Sequence, residues 1–249
     1  MRHTRTGDKR CWAGAIAAAT VAMALCGIVA GASARLDAQA ASSSAIPKLT
    51  GIWHRKGPLG GKRDPAIQAT NRALGFEKAY ENAFSPTYDC VPMAMPSVAA
   101  DNYDFQIEQK VDRVILTYEK MDVVRTIWLE GHGHPKPGAY DYSNQGWSIG
   151  HYEGNSLVAE TTKFLPDARG FSSNRFIPNT ALKKMTERYT REGDVLKMET
   201  TTVDPLALKA PFQFNYEYTP RTDELTKYDC DPEDSRFGAQ FHKSIYPPD

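Results

Sequence analysis

From Tyr103 to Cys230 the chain is a ladder of short runs rich in Val, Ile, Thr, Tyr and Phe, cut repeatedly by turn residues. The runs fall near 104–109, 113–119, 123–129, 148–153, 156–162, 183–190, 195–203, 211–219 and 225–230, and such composition between turn signals reads as strand. Lys120-Met121-Asp122, Gly154-Asn155, Arg191 to Asp194 and Pro220 to Glu224 leave little chain between neighbours. Strands joined so tightly pair antiparallel. With a further strand at 49–55, the pattern predicts a mainly β chain, an antiparallel meander closing into a barrel or a strongly curved sheet. One helix is expected before it, over 65–83. Ile67, Leu74 and Tyr80 lie roughly on one side, Pro65 suits a first turn and Pro86 bars continuation. Pro92 and Pro96 then make an irregular arm. Residues 41–102 and 103–249 are expected to form one domain. The loops at 131–147 and 163–182 are long enough to carry function.

The first forty residues read as an export signal. Arg2, Arg5, Lys9 and Arg10 precede an apolar run from Cys11 to Gly31, and Ala32-Ser33-Ala34 and Ala38-Gln39-Ala40 offer cleavage sites. The expected location is therefore periplasmic or secreted, with no stable membrane span after cleavage. Of 30 basic and 30 acidic residues, five and two fall in this segment, leaving 25 against 28 in the mature chain. No basic patch stands out, which argues against nucleic acid as a partner. Cys90 and Cys230 are the cysteines that survive cleavage. In an oxidising compartment they are expected to pair, the alternative being a free catalytic thiol.

Two resemblances follow from particular residues. Gly51-Ile52-Trp53 at the start of the first strand resembles the Gly-x-Trp of lipocalin-like barrels. No Arg is assigned as the one that lipocalins pack on this Trp. The second resemblance rests on Leu49 to Trp53, Cys90-Val91-Pro92, Val124-Arg125, His134-Pro135, the run Ser148 to Val158, Glu187-Arg188-Tyr189 and Asp204-Pro205. These motifs look like a family of exported, β-rich proteobacterial proteins. The chain departs from it with Tyr152 where that family has Trp and Asn155 where it has Asp. The resemblance implies export and fold, and no particular reaction.

Strand alternation places side chains on faces. A four-residue loop at 191–194 pairs Tyr189 with Leu196, so Glu187 shares an apolar face with Met185, Tyr189, Leu196 and Met198. A carboxylate there is either a general acid or half of a structural ion pair, with Arg125 as candidate partner. A two-residue Gly154-Asn155 turn pairs His151 with Val158 and puts His151 beside Glu160, as an oriented base or as a solvent-facing pair. A three-residue turn puts Arg125 on a face with Thr117 and Glu119, to hold a substrate anion or to pair with Glu119. His132-Gly133-His134 is too small a ligand set for a metal, and His134 is read as a loop residue over a pocket mouth. Phe212, Phe214, Tyr216 and Tyr218 alternate along one strand. Trp53, Tyr118, Tyr152, Phe214 and Tyr216 are the candidate ligand-binding aromatics.

No nucleophile elbow, phosphate loop, dinucleotide fingerprint or haem motif occurs in the sequence. No cofactor is expected. Two functions fit. One is a cofactor-free lyase, isomerase or cyclase, in which Glu187, His151, Glu160 and His134 move protons and Arg125 holds an anion. The other is a lipocalin-like carrier for a small apolar or aromatic molecule, in which Arg125 and Glu187 form a buried structural pair.

Overall fold

The computed structural model describes residues 46–61, 66–132, 136–138, 141–172 and 175–239. The expected signal, residues 1–40, and His134 lie outside them. Nine strands form a closed barrel: β1 Gly51–Pro58, β2 Phe105–Gln109, β3 Arg113–Tyr118, β4 Val124–Leu129, β5 Trp147–Glu153, β6 Ser156–Thr162, β7 Lys184–Glu192, β8 Val195–Val203 and β9 Phe212–Arg221. Each pairs with the next in sequence, and β9 closes on β1. The architecture is a lipocalin-like barrel.

The strand count forces a departure from a pure antiparallel meander. Going once round a closed ring, direction must return to itself, so the number of antiparallel joints must be even. Nine strands therefore need at least one parallel joint, and it is β4–β5. The connection at 130–146 makes this possible by running from one end of the barrel to the other, as a parallel neighbour requires. Only Ile127↔Ser148, Trp128↔Ile149 and Leu129↔Gly150 pair across this joint. Gly150 lets it close: a Cβ there would meet Ile127 Cγ2 at 2.6 Å. The expected tenth strand at 225–230 does not form, because β9 already has β8 on one edge and β1 on the other. That segment instead hangs on Asp122, whose carboxylate accepts the backbone N–H groups of Tyr228 and Asp229.

The helix expected over 65–83 shrinks to α1, Asn71–Ala79. Its start is held back because Ala69 bridges to Leu208 and the Thr70 N–H donates to Ala207 O, while the Thr70 hydroxyl caps Ala73 N–H. Short 3-10 turns at Asn82–Phe84 and Pro86–Asp89 follow, then α2, Ser97–Ala100. At the far terminus α3, Pro232–Ala239, follows Cys230, which is disulfide-bonded to Cys90 as expected, at a Cα separation of 5.8 Å.

Inward positions are mostly apolar and outward ones mostly polar. On β9, Phe212, Phe214, Tyr216 and Tyr218 are buried, while Gln213 is exposed and Asn215 and Glu217 are partly so. This is the reverse of the pattern of a barrel that faces lipid. Among the described residues no helix is long and apolar enough to cross a membrane. Trp53 lies fully buried near the barrel end, donating from Nε1 to Leu49 O. The Arg that packs on it is Arg191, whose guanidinium sits 5.2 Å from the ring and donates to Lys48 O. Sequence had placed this residue inside a turn. The turn is shorter than expected, with Glu192 opposite Val195, so Arg191 belongs to the strand.

The two ends of the barrel differ. The long connections, 59–104, 163–183 and 204–211, all lie at one end. There the Pro-rich arm forms a cap: Met93, Met95, Val98 and Ala99 join Phe164, Phe171 and Ile177 in the core. Backbone polar groups fix it. Asn144 and Gln145 donate to Pro92 O and Met93 O, and Arg169, paired with Asp167, donates to Val91 O. Lys183 reaches Met95 O at 2.5 Å with its Nζ 4.1 Å from the Phe164 ring centre. Full burial pulls the Lys183 pKa down to about 7, against a smaller raising effect of the Asp167 and Asp204 charges. The unfolded chain then holds more protons than the folded one from about pH 7 to about pH 10, so stability should rise with pH across that window. The gap between the two pKa values corresponds to an expected gain on the order of 4 kcal/mol across the window. Lys183→Met should flatten this rise; urea unfolding at several pH values checks it, and an equal rise in both proteins would show another group responsible.

Candidate functional site

Two places bring together the residues singled out in the sequence. The first is inside the barrel. Arg125 on β4 is buried and points inward, and Glu187 on β7 faces it from across the interior. The contact is bidentate, with Nη1–Oε1 at 2.9 Å and Nη2–Oε2 at 2.5 Å. Ser148 on β5 accepts from Arg125 Nε and Nη2 at 3.1 and 2.9 Å, and Thr161 on β6 accepts from Nη2 at 2.7 Å. The Tyr189 hydroxyl donates to Glu187 Oε1 at 2.8 Å. One guanidinium thus ties four consecutive strands, including both sides of the parallel joint. Burial acts to lower the Arg125 pKa, but the charge and hydrogen bonds of Glu187 outweigh it and hold the guanidinium charged well above its ordinary range. Burial chiefly, with the Glu187 charge adding to it, pushes the Tyr189 hydroxyl well up. Tyr118 Oη lies close to the Arg125–Glu187 pair without a well-formed hydrogen bond, and burial pushes its pKa up to about 12.

This corrects the expected Arg125–Glu119 pair. The β3–β4 connection holds four residues between Tyr118 and Val123, not three. Leu116 therefore faces Arg125 across the joint, and Arg125 turns inward with Tyr118 rather than lying with Thr117 and Glu119. Glu119 instead binds Arg221 at 2.8 Å and the Thr226 N–H.

His151 and Glu160 do share a face, but it is the outer one: Glu160 is exposed and the His151 side chain is 40% exposed. His151 Nε2 lies 2.9 Å from Glu153 Oε1, so Glu153 is its partner, and Arg188 holds Glu153 in turn.

The second place is the end opposite the cap, where the turns are shortest. An open cavity of about 910 Å³ lies there. Ile46, Pro47, Val111, Ile115, Leu129 and Tyr152 supply its apolar wall, and Lys48, Lys110, Asp112, Arg113 and His132 its charged or titratable rim. Gln109 builds the mouth. Its Oε1 accepts the Leu49 and Thr50 N–H groups at 2.7 and 3.1 Å, while its Nε2 donates to Pro47 O and to Tyr152 Oη, both at 2.9 Å. One amide therefore fixes the incoming chain and the Tyr152 ring together. Of the five aromatic candidates, Tyr152 lines this cavity. Trp53, Tyr118, Phe214 and Tyr216 are buried in the barrel packing, Phe214 and Tyr216 with ring centres 5.2 Å apart and Arg55 lying 3.5 Å over Tyr216.

Sequence reasoning missed Ser148, Thr161, Gln109 and Arg191. Ser148 opposite Thr161 follows from the Gly154-Asn155 turn, so two inward hydroxyls facing each other were readable. Gln109 sends no such signal, because its partners lie 43 to 62 residues away.

No family model matches the chain, and no curated protein is significantly similar to it in sequence. Among solved structures, the wild type and a point mutant of the fluorescent protein UnaG match at 14% identity and TM-score 0.33. These matches cover 70% of this chain and 98% and 96% of theirs. A likeness of this degree adds nothing to what the strand order already establishes.

Proposed function

We propose that the protein is a binding protein for a small, largely apolar organic molecule, exported from the cytoplasm, with the open barrel end as its site. The mouth cavity supports this. Its volume of about 910 Å³ lies within the several-hundred to roughly 1,000 Å³ common for small-molecule sites, with Leu129 and Tyr152 in its wall and polar groups around its rim. The Cys90–Cys230 disulfide fits an oxidising compartment. An enzyme using Glu187 as its acid would need that carboxyl free to meet a substrate. Here it is buried and takes three hydrogen bonds from Arg125 and Tyr189, so the carrier reading is preferred.

The test is fluorescence titration with N-phenyl-1-naphthylamine, an uncharged apolar probe, paired with hydrogen exchange. Saturable binding at one site should slow exchange at residues 46–48 and 109–113. No saturable binding, or protection only elsewhere, would overturn the reading.

A further inference from the structure

The hydrogen bonds of the mouth restrict which ligand it can accept. The orientation of the Gln109 amide is determined, because its oxygen must meet the N–H groups of Leu49 and Thr50. Its nitrogen therefore donates to Tyr152, and the Tyr152 oxygen is an acceptor in that bond. The Tyr152 hydroxyl proton remains, and among the described residues it has no acceptor. The rim repeats this one-sidedness. Lys48, Lys110 and Arg113 face the cavity against a single acid, Asp112. Lys110 is held by Glu108 at 2.8 Å, and Asp112 lies 3.6 Å from Arg113. The Lys48 ammonium has no partner among the described residues, although its own backbone is fixed by the bond from Arg191. The mouth thus presents spare donors and positive charge above an apolar wall, with its one carboxylate already beside an Arg.

We propose that the ligand is an amphiphilic anion, whose carboxylate or sulfonate head is bound at the rim by the Tyr152 hydroxyl and the Lys48 ammonium while its apolar body lies against Leu129 and the Tyr152 ring. This rests on the mouth being the binding site. A neutral apolar molecule would leave the Tyr152 proton without an acceptor and gain nothing from Lys48. An anion satisfies both, and hydrogen bonds to a charged group are the stronger kind.

Two probes with the same aromatic skeleton separate the ideas: N-phenyl-1-naphthylamine, which is neutral, and 8-anilinonaphthalene-1-sulfonate, which is anionic. At low salt the anion should bind about tenfold or more tightly, and salt should erode that preference. Lys48→Ala and Tyr152→Phe should each weaken the anion about five- to tenfold and leave the neutral probe within about twofold. Lys48 is exposed, so Lys48→Ala decides the matter even if loss of the Gln109 contact unsettles Tyr152→Phe. Equal affinity for both probes, unmoved by Lys48→Ala, would overturn the anionic head and leave the mouth reading standing. Failure of both probes to bind saturably would overturn both.

Discussion

Glu187→Gln should lower stability by about 3–5 kcal/mol, because it leaves the Arg125 charge buried without a counter-ion. For a domain of this length that is a fall in melting temperature on the order of 10 °C. Ligand binding by the folded protein should stay within about twofold, since Glu187 does not line the mouth. The pair as a unit should matter far less than either half. Arg125→Met with Glu187→Leu removes both charges and should recover most of the loss, giving a strong coupling in a double-mutant cycle. Ser148 and Thr161 would lose their Arg125 contacts but retain each other at 2.9 Å. Chemical denaturation of the four proteins measures this. If Glu187→Gln melts like the wild type and abolishes turnover of some substrate, the carboxyl is catalytic and the structural role is wrong.

The second large effect concerns the cap. Cys90 and Cys230 are separated by 140 residues, and a cross-link over so long a loop restricts the unfolded chain by about 5 kcal/mol in the chain-entropy account. Cys90→Ala should cost about 2–5 kcal/mol, as loss of a native disulfide usually does. The local contacts around it are few. Arg236 pairs with Asp89, and Asp122 holds residues 228 and 229. Hydrogen exchange in Cys90→Ala should therefore quicken first at 228–239, with the barrel strands protected. Comparing oxidised and reduced wild type gives the same reading without a substitution. An unchanged melting curve after complete reduction would show the bond to be energetically idle.

How much of this was legible in the sequence depended on parity. The β7–β8 turn holds two residues where four were expected, yet Glu187 faces inward as anticipated. The register moved by two positions, and a strand repeats every two. At β3–β4 the connection is one residue longer than expected, and that odd slip turned Arg125 from the face of Glu119 to the interior. Met121 and Asp122 take positive φ there, at 57° and 50°, without a Gly to announce it. The β5–β6 register was readable to the residue because Gly154 and Asn155 define their own turn. The parallel joint was not. It is a property of counting strands round a closed ring, and an expected tenth strand hid the odd number. The same limit applied to the mouth, where Gln109 and Tyr152 become partners only once the barrel has closed.

The parallel joint also makes the molecule divisible. β1 to β4 and β5 to β9 are each continuous antiparallel sheets, joined in sequence by the connection at 130–146. Cleaving that connection would separate a four-stranded piece from a five-stranded one without cutting any hairpin. The pieces would not part. Cys90 belongs to the first and Cys230 to the second, and Arg125 on one side grips Ser148, Thr161 and Glu187 on the other. The barrel is in effect two half-shells that meet at two seams, the parallel β4–β5 joint laced by Arg125 and the antiparallel β9–β1 joint, and that are covalently bolted at the capped end. The part of that connection before Ser143, ahead of the Asn144 and Gln145 bonds that fix the cap, is therefore where nature or an engineer could lengthen, cut or permute the chain without cutting a hairpin.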